Sequence, residues 1–207
     1  MDQHRRHVMS DAIIGFGAIG KALAAMFARK GIDVMVATRR PPETHAAEAR
    51  SIGPGVRAVT LEEALAADTI LLAVPFRGHV EVAAAACDWR GKTVIDVTNG
   101  YGVPEEELGG ASPASVVAQA FSGAQLVKAF NHLPARLLAQ DPSRDGGRRV
   151  IFVTSDDEAA ADTVCALVER LGFAAIKLGK LDEGGALVQG RGNSWGRLIF
   201  KDLVKSD

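Results

Sequence analysis

Residues 15–20 read Gly15-Phe16-Gly17-Ala18-Ile19-Gly20, and this short run restricts the fold more than any other part of the chain. A GxGxxG run is common by itself. Here it follows an apolar, strand-like stretch, Asp11–Gly15. It also opens a helical run from Ala18 to Lys30 in which Leu23, Met26 and Phe27 share one face. In that setting each glycine has a task. The first permits a tight turn, the second lets backbone approach a pyrophosphate, and the third lets helix and strand pack closely. Free amides at the helix start face the phosphates, with the helix dipole adding attraction. Gly15, Phe16, Gly17, Ala18, Ile19 and Gly20 are therefore the expected dinucleotide-binding turn; the alternative is a glycine-rich turn that binds nothing.

Beyond this turn, strand-like and helical runs alternate, the pattern of an α/β fold with a doubly wound, mainly parallel sheet. Strands are expected at Asp33–Ala37, Val56–Val59, Thr69–Val74, Thr93–Val97 and Gln125–Phe130, which with the first makes six. Helices are expected near Thr44–Ser51, Val80–Cys87 and Ser115–Phe121, and Thr60-Leu61-Glu62-Glu63 reads as a capping box opening another. The remainder holds a short helix in Leu133–Gln140, a polar loop at Asp141–Arg149 and a strand at Arg149–Thr154. A helix at Asp157–Leu171, a strand at Phe173–Leu178 and a closing helix over Asn193–Val204 follow. Residues 1–10 read as a flexible extension, with Met9 a plausible alternative start. Residues 11–207 read as one domain, with a core at 11–135 and a small C-terminal α/β extension at 136–207.

Composition narrows the function. Lys and Arg number 24 against 25 Asp and Glu, a net charge of −1, so the basic excess of a nucleic-acid binder is missing. Arg5-Arg6 ahead of Ala12–Ala28 imitates an export signal, but Asp11 and Lys21 interrupt that stretch. Leu108–Val127 is uncharged yet rich in Gly, Ser, Pro and Gln, a poor membrane helix. A cytoplasmic protein without a membrane partner is expected. Cys87 and Cys165 lie in Ala-rich stretches and read as small buried residues of a reduced compartment, with no metal site.

The end of the second strand indicates which dinucleotide. A site for NAD places an acidic residue there to accept from the ribose 2′-hydroxyl. This chain has Thr38-Arg39-Arg40, then Pro41-Pro42. Two guanidinium groups and a hydroxyl suit a 2′-phosphate, so NADP(H) is expected; a solvated arginine pair is the alternative.

Absences narrow the chemistry. Tyr101 is the sole tyrosine and Glu105 stands four places on, so the Tyr-x-x-x-Lys pair of short-chain dehydrogenases is missing. No Cys/His cluster has zinc-ligand spacing, and there is no nucleophile elbow. A hydride transfer needing little acid–base help fits best, with a small-molecule redox acceptor such as a flavin-like ring. Reduction of a C=N or C=O bond in a small metabolite, or NADPH sensing without turnover, are the alternatives. In a doubly wound sheet the site lies beyond the carboxyl ends of the strands. That points to Ala73-Val74-Pro75 and Asn99 on the cofactor side, and to Asn131-His132-Leu133-Pro134 for the acceptor. His132 is the acid–base candidate, beside the reading that it makes an ordinary hydrogen bond. His79 reads as a helix-start residue, and Trp89 and Trp195 as packing.

Assembled, these residues make the chain resemble the NADP oxidoreductases dependent on the deazaflavin coenzyme F-420, including their short bacterial members. The resemblance runs from Asp11 to the C-terminus. It is carried by AIIGFGAIGKALA (12–24), ATRRPPE (37–43), LLAVPF (71–76), VIDVTN (94–99) and VKAFNHLPA (127–135), and extended by GRRVIFVTSDDEAA (147–160) and LVERLGF (167–173). It implies a Rossmann-like domain with NADPH at Gly15–Gly20 and Thr38–Arg40. It also implies hydride exchange with coenzyme F-420 or a flavin as co-substrate near Pro75 and Asn131–Pro134, and a homodimer. The deazaflavin enzymes carry a histidine where this chain has Asn131; its own histidine stands one place later.

Overall fold

The computed structural model describes residues 10–190 and 203–206. The sheet is built outward from β1 (Asp11–Ile14), which pairs in parallel with β2 (Val34–Ala37) on one side and β4 (Thr69–Leu72) on the other. Beyond β2 lies β3 (Val56–Ala58); beyond β4 lie β5 (Thr93–Asp96) and β6 (Gln125–Ala129), all parallel. The order β3-β2-β1-β4-β5-β6 is that of a doubly wound, Rossmann-like sheet. The uniformly apolar β4 shows why. Leu71 packs with α1 (Ala18–Arg29) on one face, while Ile70 and Leu72 pack with α3 (Leu61–Leu65) and α6 (Pro113–Ala120) on the other. A strand covered on both sides has no position for a polar residue facing water.

Local signals set the helix ends. Thr60 and Glu63 form the expected capping box at the start of α3, each side chain bonded to the other's backbone amide. Pro113 occupies the first turn of α6 with Ser112 capping it. Helix α2 (Glu43–Ile52) matches expectation within a residue. After Pro75 the chain makes a 3-10 turn at Phe76–Gly78, then the short α4 (His79–Ala84) in place of the longer helix anticipated at Val80–Cys87. Trp89 packs edge-on against Phe121 with ring centroids 4.6 Å apart, a core role.

The later part departs more. A four-residue helix, α5 (Glu105–Leu108), precedes α6, and α7 (Ala135–Leu138) is one turn long. The expected loop at Asp141–Arg149 is a hairpin instead: β7 (Ser143–Arg144) folds onto β8 (Gly147–Ser155) through Asp145 and Gly146, both at positive φ. Strand β8 runs antiparallel to β6 and parallel to β9 (Ala174–Lys177), with α8 (Glu158–Arg170) between them in sequence. A further short helix, α9 (Gly184–Val188), was not foreseen. The closing helix proposed over Asn193–Val204 lies mostly outside the described residues, as do Trp195, Arg5, Arg6 and Met9; Val204 itself opens a strand, β10 (Val204–Ser206), on β8. The two cysteines are not buried as expected: Cys87 is exposed just beyond α4, and Cys165 is half-buried on α8. Among the described residues no helix is long and apolar enough to cross a membrane.

Candidate active site

Two hollows open at the carboxyl ends of the parallel strands. The larger, about 650 Å³, lies where the winding reverses between β1 and its neighbours β2 and β4. The glycine turn forms its floor. Gly15 has φ of 106°, and a Cβ there would collide with the Ala73 carbonyl. A Cβ on Gly20 would collide with the Gly15 carbonyl, so this glycine sets how close α1 comes to β1. At Gly17 a Cβ would meet no protein atom within 4 Å. The three positions thus separate into a turn, an open approach and a packing contact. The first turn of α1 has no acidic residue and no side-chain cap, so its amides are left to whatever enters the cleft.

Thr38, Arg39 and Arg40 form the rim at the exit of β2. The Thr38 hydroxyl accepts from the Arg40 amide at 3.1 Å, folding the exit into a tight polar turn. Arg39 reaches across to α4, its Nη1 donating to Glu81 Oε2 at 2.7 Å. Arg77, on the 3-10 turn, also lines the cleft and makes a forked pair with Glu107 of α5, at 2.8 and 3.2 Å. Arg40 has no side-chain partner among the described residues.

The smaller hollow, about 370 Å³, sits at the ends of β5 and β6. Ile19, Val97, Leu133 and Pro134 give it apolar walls, while Asn99, Asn131 and Tyr101 supply its polar atoms. The two asparagines are laced together. Asn99 Nδ2 donates to the Asn131 carbonyl at 2.8 Å, and Asn131 Nδ2 donates to Asn99 Oδ1 at 3.2 Å and to the Val188 carbonyl at 3.1 Å. The Gly190 amide donates to Asn99 Oδ1 at 3.0 Å, pinning the segment after α9 against the site. Asn131 Oδ1 is buried and has no partner among the described residues.

Beneath these asparagines lies a fully buried ion pair. Lys128 Nζ donates to Asp96 Oδ2 at 2.7 Å and to the Thr98 carbonyl at 2.9 Å, and Asp96 Oδ1 accepts from the Thr98 amide at 2.8 Å. Desolvating two charges is costly, and these bonds offset much of that cost only in this one geometry. The pair therefore fixes the turn that presents Asn99. Just after β6, fully buried Phe130 adopts φ of 62°, a left-handed conformation that costs a bulky residue about 1–3 kcal/mol.

That turn separates Asn131 from His132. The His132 ring is fully buried against Phe152, lines neither hollow, and donates from Nε2 to the Val150 carbonyl at 3.2 Å. Burial pushes its pKa down to about 4, so it is a neutral core imidazole. Of the other expected residues, Gly15, Phe16, Gly17, Thr38–Arg40 and Ala73–Pro75 gather around the larger hollow. Asn131, Leu133 and Pro134 border the smaller one, joined by Ile19 and Asn99, which were expected with the cofactor group. Ala18, exposed, and Gly20, buried, line neither. Arg77, Glu81, Tyr101 and the Lys128–Asp96 pair were not anticipated. The pair had a legible signal: opposite charges each following two apolar residues in neighbouring strands, at positions that become directly opposed in register.

Three comparisons bear on the whole. The family described as NADP oxidoreductase, coenzyme F420-dependent, matches residues 11–100, a stretch holding every residue that lines the larger hollow. No protein of curated function matches the chain in sequence. Among solved structures, the hypothetical protein SMa0349 from Sinorhizobium meliloti is 37% identical over 96% of both chains, with a TM-score of 0.88. A protein from Arthrobacter sp. FB24, provisionally described as an F420-dependent NADP reductase, is 26% identical over 84% of this chain and 86% of its own, with a TM-score of 0.70. A reductive aminase from Aspergillus terreus, solved with NADPH, shares the fold at 23% identity and a TM-score of 0.62, and this chain spans 57% of its length. Over residues 11–100 the chain thus carries the NADP-binding part of the family described as coenzyme F420-dependent NADP oxidoreductases, and it is an NADP-dependent oxidoreductase.

Proposed function

We propose that the protein holds NADPH in the larger hollow and reduces a planar, flavin-like ring, coenzyme F-420 or a flavin, in the smaller one. Bound NADPH supplies a hydride; the chain's own residues bind and align. The glycine-turn amides take the pyrophosphate, Thr38, Arg39 and Arg40 take the 2′-phosphate, and Ala73–Pro75 lead toward the nicotinamide half. Asn131 Oδ1 stands ready to accept from a ring or amide N–H, which would relieve a buried unpartnered oxygen.

The observation that carries this reading is the lining of the smaller hollow. Among the described residues it contains no Asp, Glu, His, Lys or Cys. A site with so little acid–base equipment suits an acceptor whose own ring takes the electrons, and Tyr101, 64% exposed, offers an aromatic face at the mouth. The test is loss of NADPH absorbance with deazaflavin, FMN, FAD and riboflavin in turn. Turnover with at least one is expected, and none with any would refute the proposal.

One observation favours a second reading, reduction of a C=N or C=O bond: the Tyr101 hydroxyl is the one dissociable acid bordering the hollow among the described residues. Such a reaction needs a proton donor. Tyr101→Phe separates the two, because it keeps an aromatic face for a flavin-like ring but removes the donor. Flavin reduction should survive it within about twofold, whereas imine or ketone reduction should fall by about two decades or more.

A further inference from the structure

An ion pair bridges the two walls of the larger hollow. Arg39, at the exit of β2, meets Glu81, on the first turn of α4, at 2.7 Å, although both side chains are largely open to solvent, 79% and 61% exposed. The partner of one of the two guanidinium groups read as the 2′-phosphate site is thus already a carboxylate of the opposite wall. We propose that Glu81 is a specificity-determining residue: it competes with the 2′-phosphate for Arg39, and so restrains affinity for NADP(H) while leaving affinity for NAD(H) alone. The inference rests on the reading of Thr38–Arg40 as the 2′-phosphate site.

Two effects act in the same direction. An exposed carboxylate–guanidinium pair is weak and exchanges readily, so a phosphate monoester, with its larger charge and additional acceptor oxygens, displaces the carboxylate. Displacement nonetheless subtracts the energy of the lost pair. The carboxylate also cannot retreat far. Val82 anchors α4 in the core, which keeps the Glu81 backbone at the rim. Glu81 therefore stays close to the bound phosphate as a like charge. Neither effect touches NAD(H), whose 2′-hydroxyl carries no charge.

The test is calorimetric binding of NADPH and of NADH to the wild-type protein, Glu81→Gln, Arg39→Ala and the double variant, at low salt and at about 0.5 M salt. Glu81→Gln should tighten NADPH about three- to tenfold and move NADH by less than about twofold. The gap should narrow at high salt, where screening shortens the reach of both effects. Arg39→Ala should weaken NADPH by about tenfold or more, and the gain from Glu81→Gln should shrink in its background. If Arg39→Ala weakens NADPH but Glu81→Gln does not tighten it, or tightens both cofactors alike, the role of Glu81 is overturned and the phosphate site stands. If Arg39→Ala leaves NADPH unaffected, the phosphate site itself is wrong and the inference falls with it.

Discussion

The two hollows sit side by side at one end of the sheet, yet they are constructed differently. The larger is made by consecutive strand exits: all its lining lies between residues 14 and 82, and its floor is backbone. The smaller is assembled by contacts between distant parts of the chain, with Asn99 reaching Asn131 across 32 positions, Asn131 reaching Val188 across 57 and Gly190 reaching Asn99 across 91. A site made of backbone recognises what many dinucleotides share. A site made of side chains gathered by the tertiary fold distinguishes one acceptor from another, and its identity is correspondingly local to this chain.

Glycine substitutions are the strongest way to break this contrast. At Gly15 the positive φ and the Ala73 carbonyl both oppose a Cβ, so Gly15→Ala should destabilise the fold by more than about 3 kcal/mol, read by urea unfolding. At Gly17 no protein atom opposes it. Gly17→Ala should therefore unfold within about 0.5–1 kcal/mol of wild type while losing NADPH affinity by about tenfold or more, because the methyl group intrudes where a pyrophosphate would approach. Equal stability losses at both positions would show that Gly17 is a folding residue and that the floor is not a ligand surface.

The same contrast explains what could be read from the residues alone. The turn at Gly15–Gly20, the arginines after β2 and the uniformly apolar β4 depend on neighbours a few positions away, and the strand order follows from their alternation with helices. The hairpin at Ser143–Gly147, the pinning of Gly190 on Asn99 and the burial of His132 depend on partners that periodicity does not reveal. His132 is the instructive case. It follows Asn131 directly in a loop at the right end of the sheet, yet Asn131 bonds the Val188 carbonyl at the hollow while His132 bonds Val150 of β8 in the core.

That divergence has a consequence in pH. Unfolded, the imidazole takes up a proton near 6.5; in the core it does so only at about 4. From pH 6.5 downward the unfolded chain binds more protons at this site, so the histidine's contribution should lower stability by on the order of 3 kcal/mol, levelling off below about pH 4. Asp11 works with the opposite sign. Burial raises its carboxyl to about 6, so acidification below that point protonates the folded chain first and favours it. The two contributions nearly offset, so urea unfolding at pH 7, 5.5 and 4.5 should find wild type almost flat, whereas His132→Leu, left with the Asp11 contribution, should gain about 2 kcal/mol on acidification. An identical pH dependence in the two proteins would mean that His132 is reached by solvent, which would restore it as a candidate proton donor.

The smallest expected effect asks whether the two hollows are energetically separate. Asn131→Ala removes the bonds from Nδ2 to Asn99 and to the Val188 carbonyl, but it also deletes the unpartnered Oδ1. The two lost bonds destabilise and the deleted oxygen partly compensates, so the net cost should be about 1–2 kcal/mol. Gly190 and Asn99 remain bonded, which keeps the segment after α9 in place. NADPH affinity should stay within about twofold of wild type, because Asn131 lines the smaller hollow and not the larger. The KM for the hydride acceptor should rise severalfold as a binding contact disappears. A parallel loss of NADPH affinity would join the two hollows into one continuous site. The acceptor pocket would then owe its shape to the bound cofactor as much as to the distant contacts that build it here.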